Sequence, residues 1–152
     1  MVMQVGYGKA DITPRLGIQG RVGITHFLNL PGDPVSIQAL YFRQGMEEVL
    51  QLTADVVGIT GETLVQIREQ VSKATGIHSH QIIITATHTH ASPWIWTRQA
   101  REAREQGIEL LDEPWFQRFL KGFSEAARKA QSSARAALLK VGTAKVDRVA
   151  SN

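Results

Sequence analysis

The sequence predicts an α/β fold: a mixed sheet that contains a right-handed βαβ unit and carries a long C-terminal helix packed on it. Two observations predict it. An apolar stretch over 48–57 leads into a segment with Leu64, Ile67 and Val71 at helical spacing, and that segment leads into a second apolar run, Ile82, Ile83 and Ile84. Strand, helix and strand in this order make a crossover unit whose strands are parallel and whose hand is right. Later, Phe116, Phe119, Leu120 and Phe123 give way to Ala126, Ala127, Ala130, Ala134 and Ala137, one apolar stripe narrow enough to lie close on a sheet. The chain of 152 residues has the length of a single domain, 1–152, with a real core.

The elements follow in order. Residues 1–10 read as a first strand, with Val5 and Tyr7 on one face and with Gly6 and Gly8 marking a close backbone approach or a bulge. Gly6-Tyr7-Gly8-Lys9 is not a phosphate loop, because Ala10 stands where a Ser or Thr is needed. Asp11-Ile12-Thr13-Pro14 makes a turn, since the residue before proline avoids the helical region. Residues 15–34, with four glycines and two prolines, are expected to be an irregular loop, and His26 within it a surface or packing histidine. Residues 35–43 and 48–57 are strands joined by a hairpin turn at Gln44-Gly45-Met46-Glu47. Thr60 is placed to cap the next helix and Gly76 to end it. Residues 91–107 are expected as a loop whose mixed charges, Arg98 to Glu105, are a solvated helical turn. Asp112 caps the long helix with Pro114 in its first turn, and 141–149 forms a last strand.

Composition narrows the function classes. The chain is 43% hydrophobic and 20% charged, as soluble globular proteins are, and its net charge of +3 is scattered among acids rather than gathered into a nucleic-acid surface. No apolar run approaches a membrane span, and no basic region followed by an apolar one opens the chain. The expected compartment is therefore cytoplasmic, unless a leader has been removed. There is no cysteine, so a metal site has to use His, carboxylate or Tyr.

The chemistry gathers at 81–93, Gln-Ile-Ile-Ile-Thr-Ala-Thr-His-Thr-His-Ala-Ser-Pro. The β-branched run reads as a strand buried on both faces. It opens at its carboxyl end into Thr87-His88-Thr89-His90, the end at which open α/β sheets bind ligands, and neutral imidazole is a common ligand for transition metals. The two rings could share one ion, or one could ligate while the other works on a substrate, or both could be satisfied by backbone carbonyls. His78 and His80 precede the strand by about 20 Å, too far to join the same ion. Asp55, at the apolar end of the preceding strand, falls on the same sheet edge if the two strands are neighbours; it is either a site residue or a local cap. Trp94 and Trp96 belong either to the core or to an apolar entrance, with the entrance favoured.

Three segments resemble the neutral, non-lysosomal ceramidase family: Gly6-Tyr7-Gly8-Lys9-Ala10-Asp11-Ile12-Thr13-Pro14; 33–40 followed by Ala54-Asp55-Val56-Val57-Gly58; and, most specifically, Thr87-His88-Thr89-His90-Ala91-Ser92-Pro93, similar to the family's Thr-His-Thr-His-Ser-Gly-Pro. The resemblance implies a zinc-dependent hydrolase of N-acyl, lipid-like amides, with Zn2+ as cofactor. In it His88 is a zinc ligand, His90 contacts substrate or transition state, and Asp55 orients a ligand. Ala91-Ser92-Pro93 and Trp94-Ile95-Trp96 depart from the family pattern and leave the substrate open. Family members are longer and supply a second His, a Glu and a Tyr from later segments. The resemblance therefore implies the N-terminal portion of a longer catalytic domain, inactive alone. Other readings are a His-x-His metallohydrolase of the metallo-β-lactamase or amidohydrolase kind, or a non-catalytic α/β binding module.

Overall fold

The computed structural model describes residues 2–14, 21–22, 26–27, 33–59, 61–90, 92–93, 95–108 and 111–147, with backbone alone at 21–22 and 26–27. In chain order the elements are β1 (Gln4–Asp11), β2 (Arg21–Val22), β3 (His26–Phe27), β4 (Ser36–Gln44), β5 (Glu47–Ala54), α1 (Gly61–Thr75), a 3₁₀ turn at Ser79–Gln81, β6 (Ile82–Ala86), α2 (Thr97–Arg104), α3 (Glu113–Ser132) and β7 (Arg135–Ala136). The main sheet runs β6-β5-β4-β1-β7. Its β5 and β6 are parallel neighbours, Leu50 opposite Ile82 and Ala54 opposite Ala86, with α1 between them in sequence; the other pairs are antiparallel. The mixed sheet, the strand–helix–strand unit and the long helix are those the sequence predicts.

One face of the sheet makes the core. Ala10, Ile37, Ala39, Tyr41, Leu50, Leu52, Ala54 and Ile82 are buried on it, under Ile67 and Val71 of α1 and the apolar stripe of α3. Gly6 and Gly8 allow α3 to lie directly on β1: a Cβ built on Gly6 would stand 1.8 Å from the Ala130 carbonyl oxygen, and one on Gly8 2.0 Å from that of Ala126. Along α3 Trp115 stacks on Phe119 and Phe119 meets Phe123 edge-on, and the Trp115 indole donates to the Ile12 carbonyl at 2.6 Å. Asp112 caps the helix, its Oδ1 accepting from the Trp115 amide at 2.7 Å. Gly76, at φ 78°, ends α1 in the left-handed region that favours glycine.

Five expectations are corrected. The run Ile82 to Ile84 is not buried on both faces: β6 is the edge strand of the described sheet, and Ile83 is 48% exposed while Ile82 is 1%. The helices cover only the face that Ile82 and Ile84 share with Leu50 and Leu52, so the opposite face of β6, with Ile83 and Thr85, stays open. The last strand at 141–149 does not form over its described residues, 141–147. Past the pairing of Ala136 with Gln4 and the hydrogen bond from the Ala137 amide to the Met3 carbonyl, the described residues are exposed, so their apolar side chains have no sheet or helix face to pack on. Ala137 lies beyond the end of α3 and is exposed rather than part of its stripe. The glycine-rich segment is not wholly irregular, since Arg21–Val22 and His26–Phe27 pair as a short antiparallel ladder. The loop at 91–107 likewise includes the two-turn helix α2, whose Ala100 is buried. The environment of His26, the Thr60 cap and Trp94 lie outside the described side chains; Trp96 packs against the core.

Candidate functional site

The parallel pairing of β5 and β6 brings Asp55 and His88 to the same end of the sheet, as the sequence predicts for neighbouring strands. Beyond Ala54 and Ala86 the two chains stay together by main-chain bonds. The Thr87 amide donates to the Ala54 carbonyl at 3.1 Å, and the His88 amide to the Val56 carbonyl at 3.1 Å. The Val56 amide folds back on the Ala54 carbonyl at 2.9 Å, so 54–57 is a tight turn rather than the end of a strand. Val56 and Val57 are buried beneath it.

His88 is held twice over by this turn. Its ring Nδ1 lies 2.6 Å from the Val57 carbonyl oxygen. A carbonyl only accepts, so Nδ1 carries the proton, and in a neutral ring Nε2 then has the lone pair. The backbone of His88 has φ 63°, the one positive φ at a non-glycine residue among those described. A left-handed conformation at such a residue costs about 1–2 kcal/mol. Residues held in strained backbone regions collect at functional sites, where surrounding contacts over-determine them. The ring of His90 meets that of His88 edge-on, with centroids 5.1 Å apart and planes at 76°. Both rings are exposed, whereas Ser92, Pro93 and Ile95 just after them are buried and anchor the segment.

Among the described residues the hydrogen bonds of Asp55 go to Ser36 and not to either histidine. Its Oδ2 accepts from the Ser36 amide at 2.9 Å and from the Ser36 hydroxyl at 3.0 Å, and its own amide donates to the Ser36 carbonyl at 2.9 Å. Sequence reasoning passed over Ser36 and the Val57 carbonyl. A serine that opens an apolar strand was a faint signal for the first; the second has none, because any residue carries that carbonyl. His78 and His80 stack on each other at 5.5 Å and are exposed at the opposite end of β6, apart from this site as predicted.

The donor set tests what the edge can hold. A histidine that binds a metal almost always donates its other ring N–H to a carbonyl or carboxylate, which fixes ring and tautomer; His88 has that arrangement with Nε2 as the free donor. Among the described residues no three His, Asp or Glu side chains gather closely enough to enclose an ion by themselves. The edge thus presents one oriented imidazole, with a second beside it.

No protein-family model matches this chain, and no curated protein does. Solved structures do. The neutral ceramidase from Pseudomonas aeruginosa superposes with a TM-score of 0.70 at 18% identity, over 90% of this chain and 22% of that one. A second structure, a ceramidase complexed with C2, gives 0.64 at 16% identity over the same shares. The chain therefore spans 22% of the length of the solved proteins that it matches. In fold, it is similar to that portion of a neutral ceramidase.

Proposed function

We propose that this chain is part of a zinc-dependent hydrolase of N-acyl, lipid-like amides, in which His88 is a metal ligand through Nε2 and His90 faces the substrate. One observation carries the reading: the Nδ1–H of His88 is spent on the Val57 carbonyl, in a backbone conformation that costs energy to hold. A merely structural surface histidine has no need of either. The fold likeness to neutral ceramidase supports the reaction class. When bound, zinc would polarise the amide carbonyl and bring the pKa of a water to about 7.

The residues of this chain supply orientation. The turn at 54–57 fixes the direction of the His88 lone pair before any ion arrives, so little ordering entropy is left to lose on binding. His90, edge-on to His88, stands within reach of a group bound beside that ring and has a second nitrogen to donate or accept a hydrogen bond. A catalytic zinc takes three protein ligands and an open position. The further ligands in this reading come from outside the described residues, supplied by a longer polypeptide.

The test is metal analysis by mass spectrometry, together with N-acyl amide hydrolysis, on the longest native polypeptide containing this chain. His88→Ala is expected to lose both bound zinc and activity, and His90→Ala to keep zinc and lose activity. Full zinc content and full activity in His88→Ala would refute the reading and favour a non-catalytic binding module.

A further inference from the structure

The turn that holds His88 exists because β5 leaves β4 at Asp55. In an antiparallel ladder two residues of a hydrogen-bonded pair exchange both N–H···O=C bonds. Ser36 and Asp55 exchange only one of them: the Asp55 amide donates to the Ser36 carbonyl. The Ser36 amide goes instead to the Asp55 carboxylate, which also takes the Ser36 hydroxyl. The side chain has replaced the main-chain carbonyl as acceptor. That substitution satisfies the ladder donor of a buried residue, since Ser36 is 2% exposed, and leaves the Asp55 main chain free to bend away from β4. The bend then turns the Val56 and Val57 carbonyls toward the end of β6, where they accept from the amide and Nδ1 of His88.

We propose that Ser36 and Asp55 form a positioning pair for His88, acting through the Val56 and Val57 carbonyls to set its left-handed backbone and its Nδ1–H tautomer before metal binds. The inference rests on the ligand reading of His88 for its consequence, but its structural part belongs to the metal-free chain. Neither Ser36 nor Asp55 touches the ion or the substrate. Their effect is on which ring nitrogen carries the proton and where the other one points.

The chemistry orders the variants. Asp55→Ala removes the acceptor of two hydrogen bonds and leaves the Ser36 amide and hydroxyl buried without a partner, so the ladder donor has to be met by the Asp55 main-chain carbonyl and the bend is lost. Asp55→Asn keeps a side-chain oxygen that accepts in the same place. Ser36→Ala keeps the amide bond to the carboxylate and removes only the hydroxyl bond, a milder change.

The experiment is ¹⁵N NMR of the histidine rings in the metal-free 152-residue chain at about pH 9, above the usual imidazole range, alongside calorimetric titration of the longest native polypeptide containing this chain, and of its variants, with Zn2+ alone. In the wild-type chain His88 is expected in the Nδ1–H form. In Asp55→Ala it is expected to shift toward Nε2–H, with zinc affinity down about 10–100-fold, the usual effect of removing support from a metal-binding histidine. Asp55→Asn is expected to restore the Nδ1–H form and most of the affinity, and Ser36→Ala to fall between. Far-UV circular dichroism reports folding; if Asp55→Ala does not fold, Ser36→Ala carries the test by the same two readouts. An unchanged Nδ1–H tautomer in a folded Asp55→Ala overturns the proposal, as does an equal loss in Asp55→Asn and Asp55→Ala. An unchanged zinc affinity in His88→Ala overturns the ligand reading, and the positioning role with it, whatever the tautomer does.

Discussion

Adding one methyl group at Gly8 tests how closely the long helix must lie on the sheet. A Cβ there would stand 2.0 Å from the Ala126 carbonyl oxygen, 2.6 Å from the Ala130 amide nitrogen and 2.9 Å from the Lys129 Cβ. The first two are helix backbone and cannot swing aside as a side-chain tip does. For Gly8→Ala to fit, α3 has to retreat from β1 by about 1 Å at this turn. The retreat separates Ala126, Ala127 and Ala130 from the strand face they cover, and a gap of about 0.5–1 Å already forfeits a quarter to a half of each contact energy. Overpacking a core by a methylene ordinarily costs about 1–3 kcal/mol, and a clash with backbone belongs at the top of that range. At about 3 kcal/mol the midpoint of thermal unfolding drops by roughly 6–12 °C for a chain of this size. The urea midpoint falls by about 1–3 M. Circular dichroism melts and urea titrations measure both. Gly58→Ala is the control: a Cβ there meets nothing within 4 Å, so its stability stays within about 0.5 kcal/mol of wild type. A Gly8→Ala protein that melts within 2 °C of Gly58→Ala, by the scale of about 2–4 °C per kcal/mol, refutes the close-contact account of this helix.

Further expectations concern the strand, the cap and pH. Ile82→Ala is expected to cost about 2–5 kcal/mol and Ile83→Ser less than about 1 kcal/mol, because only the first is buried; equal costs in urea titrations would restore a strand covered on both faces. Asp112→Ala is expected to lose about 0.5–2 kcal/mol by removing the acceptor of the Trp115 amide, read from the same titrations. His78→Ala and His80→Ala are expected to leave zinc content and stability unchanged, since both rings are exposed at the far end of β6. The hydrogen bonds from Thr13, side chain first and then main chain, hold the Asp11 carboxyl below the usual carboxylate range. Its contribution is therefore fully present above the unfolded-state pKa and is lost as pH falls through the lower folded value. Asp11→Asn is expected to flatten the acid limb of stability in this window, below about pH 4; a limb as steep as wild type in thermal melts across that range would count against it.

What the sequence by itself determined is what short stretches dictate. The hydrophobic period placed α1 and α3, Asp112 and Pro114 placed the start of the long helix, and paired glycines six and eight residues in announced a close backbone approach. The span of one strand was enough to keep His78 and His80 away from His88 and His90. The resemblance of Thr87 to Pro93 to the ceramidase motif likewise needs no fold to be seen. The tertiary structure decided everything that depends on which strand lies beside which. Three isoleucines in a row carry no mark of an edge, and whether Ile83 meets a helix or solvent is set by where the helices cross the sheet. The residues from Val141 read as a strand, but those described stay exposed, and a short stretch carries no sign of whether a neighbouring strand or helix will cover it. Asp55 could be placed at the right end of the sheet, yet its choice of Ser36 over histidine came from the antiparallel ladder 19 residues back along the chain. The left-handed turn at His88 has the same origin: a carbonyl 31 residues away, at Val57, fixes it, and a hydrogen-bond acceptor that every residue possesses leaves no trace in sequence.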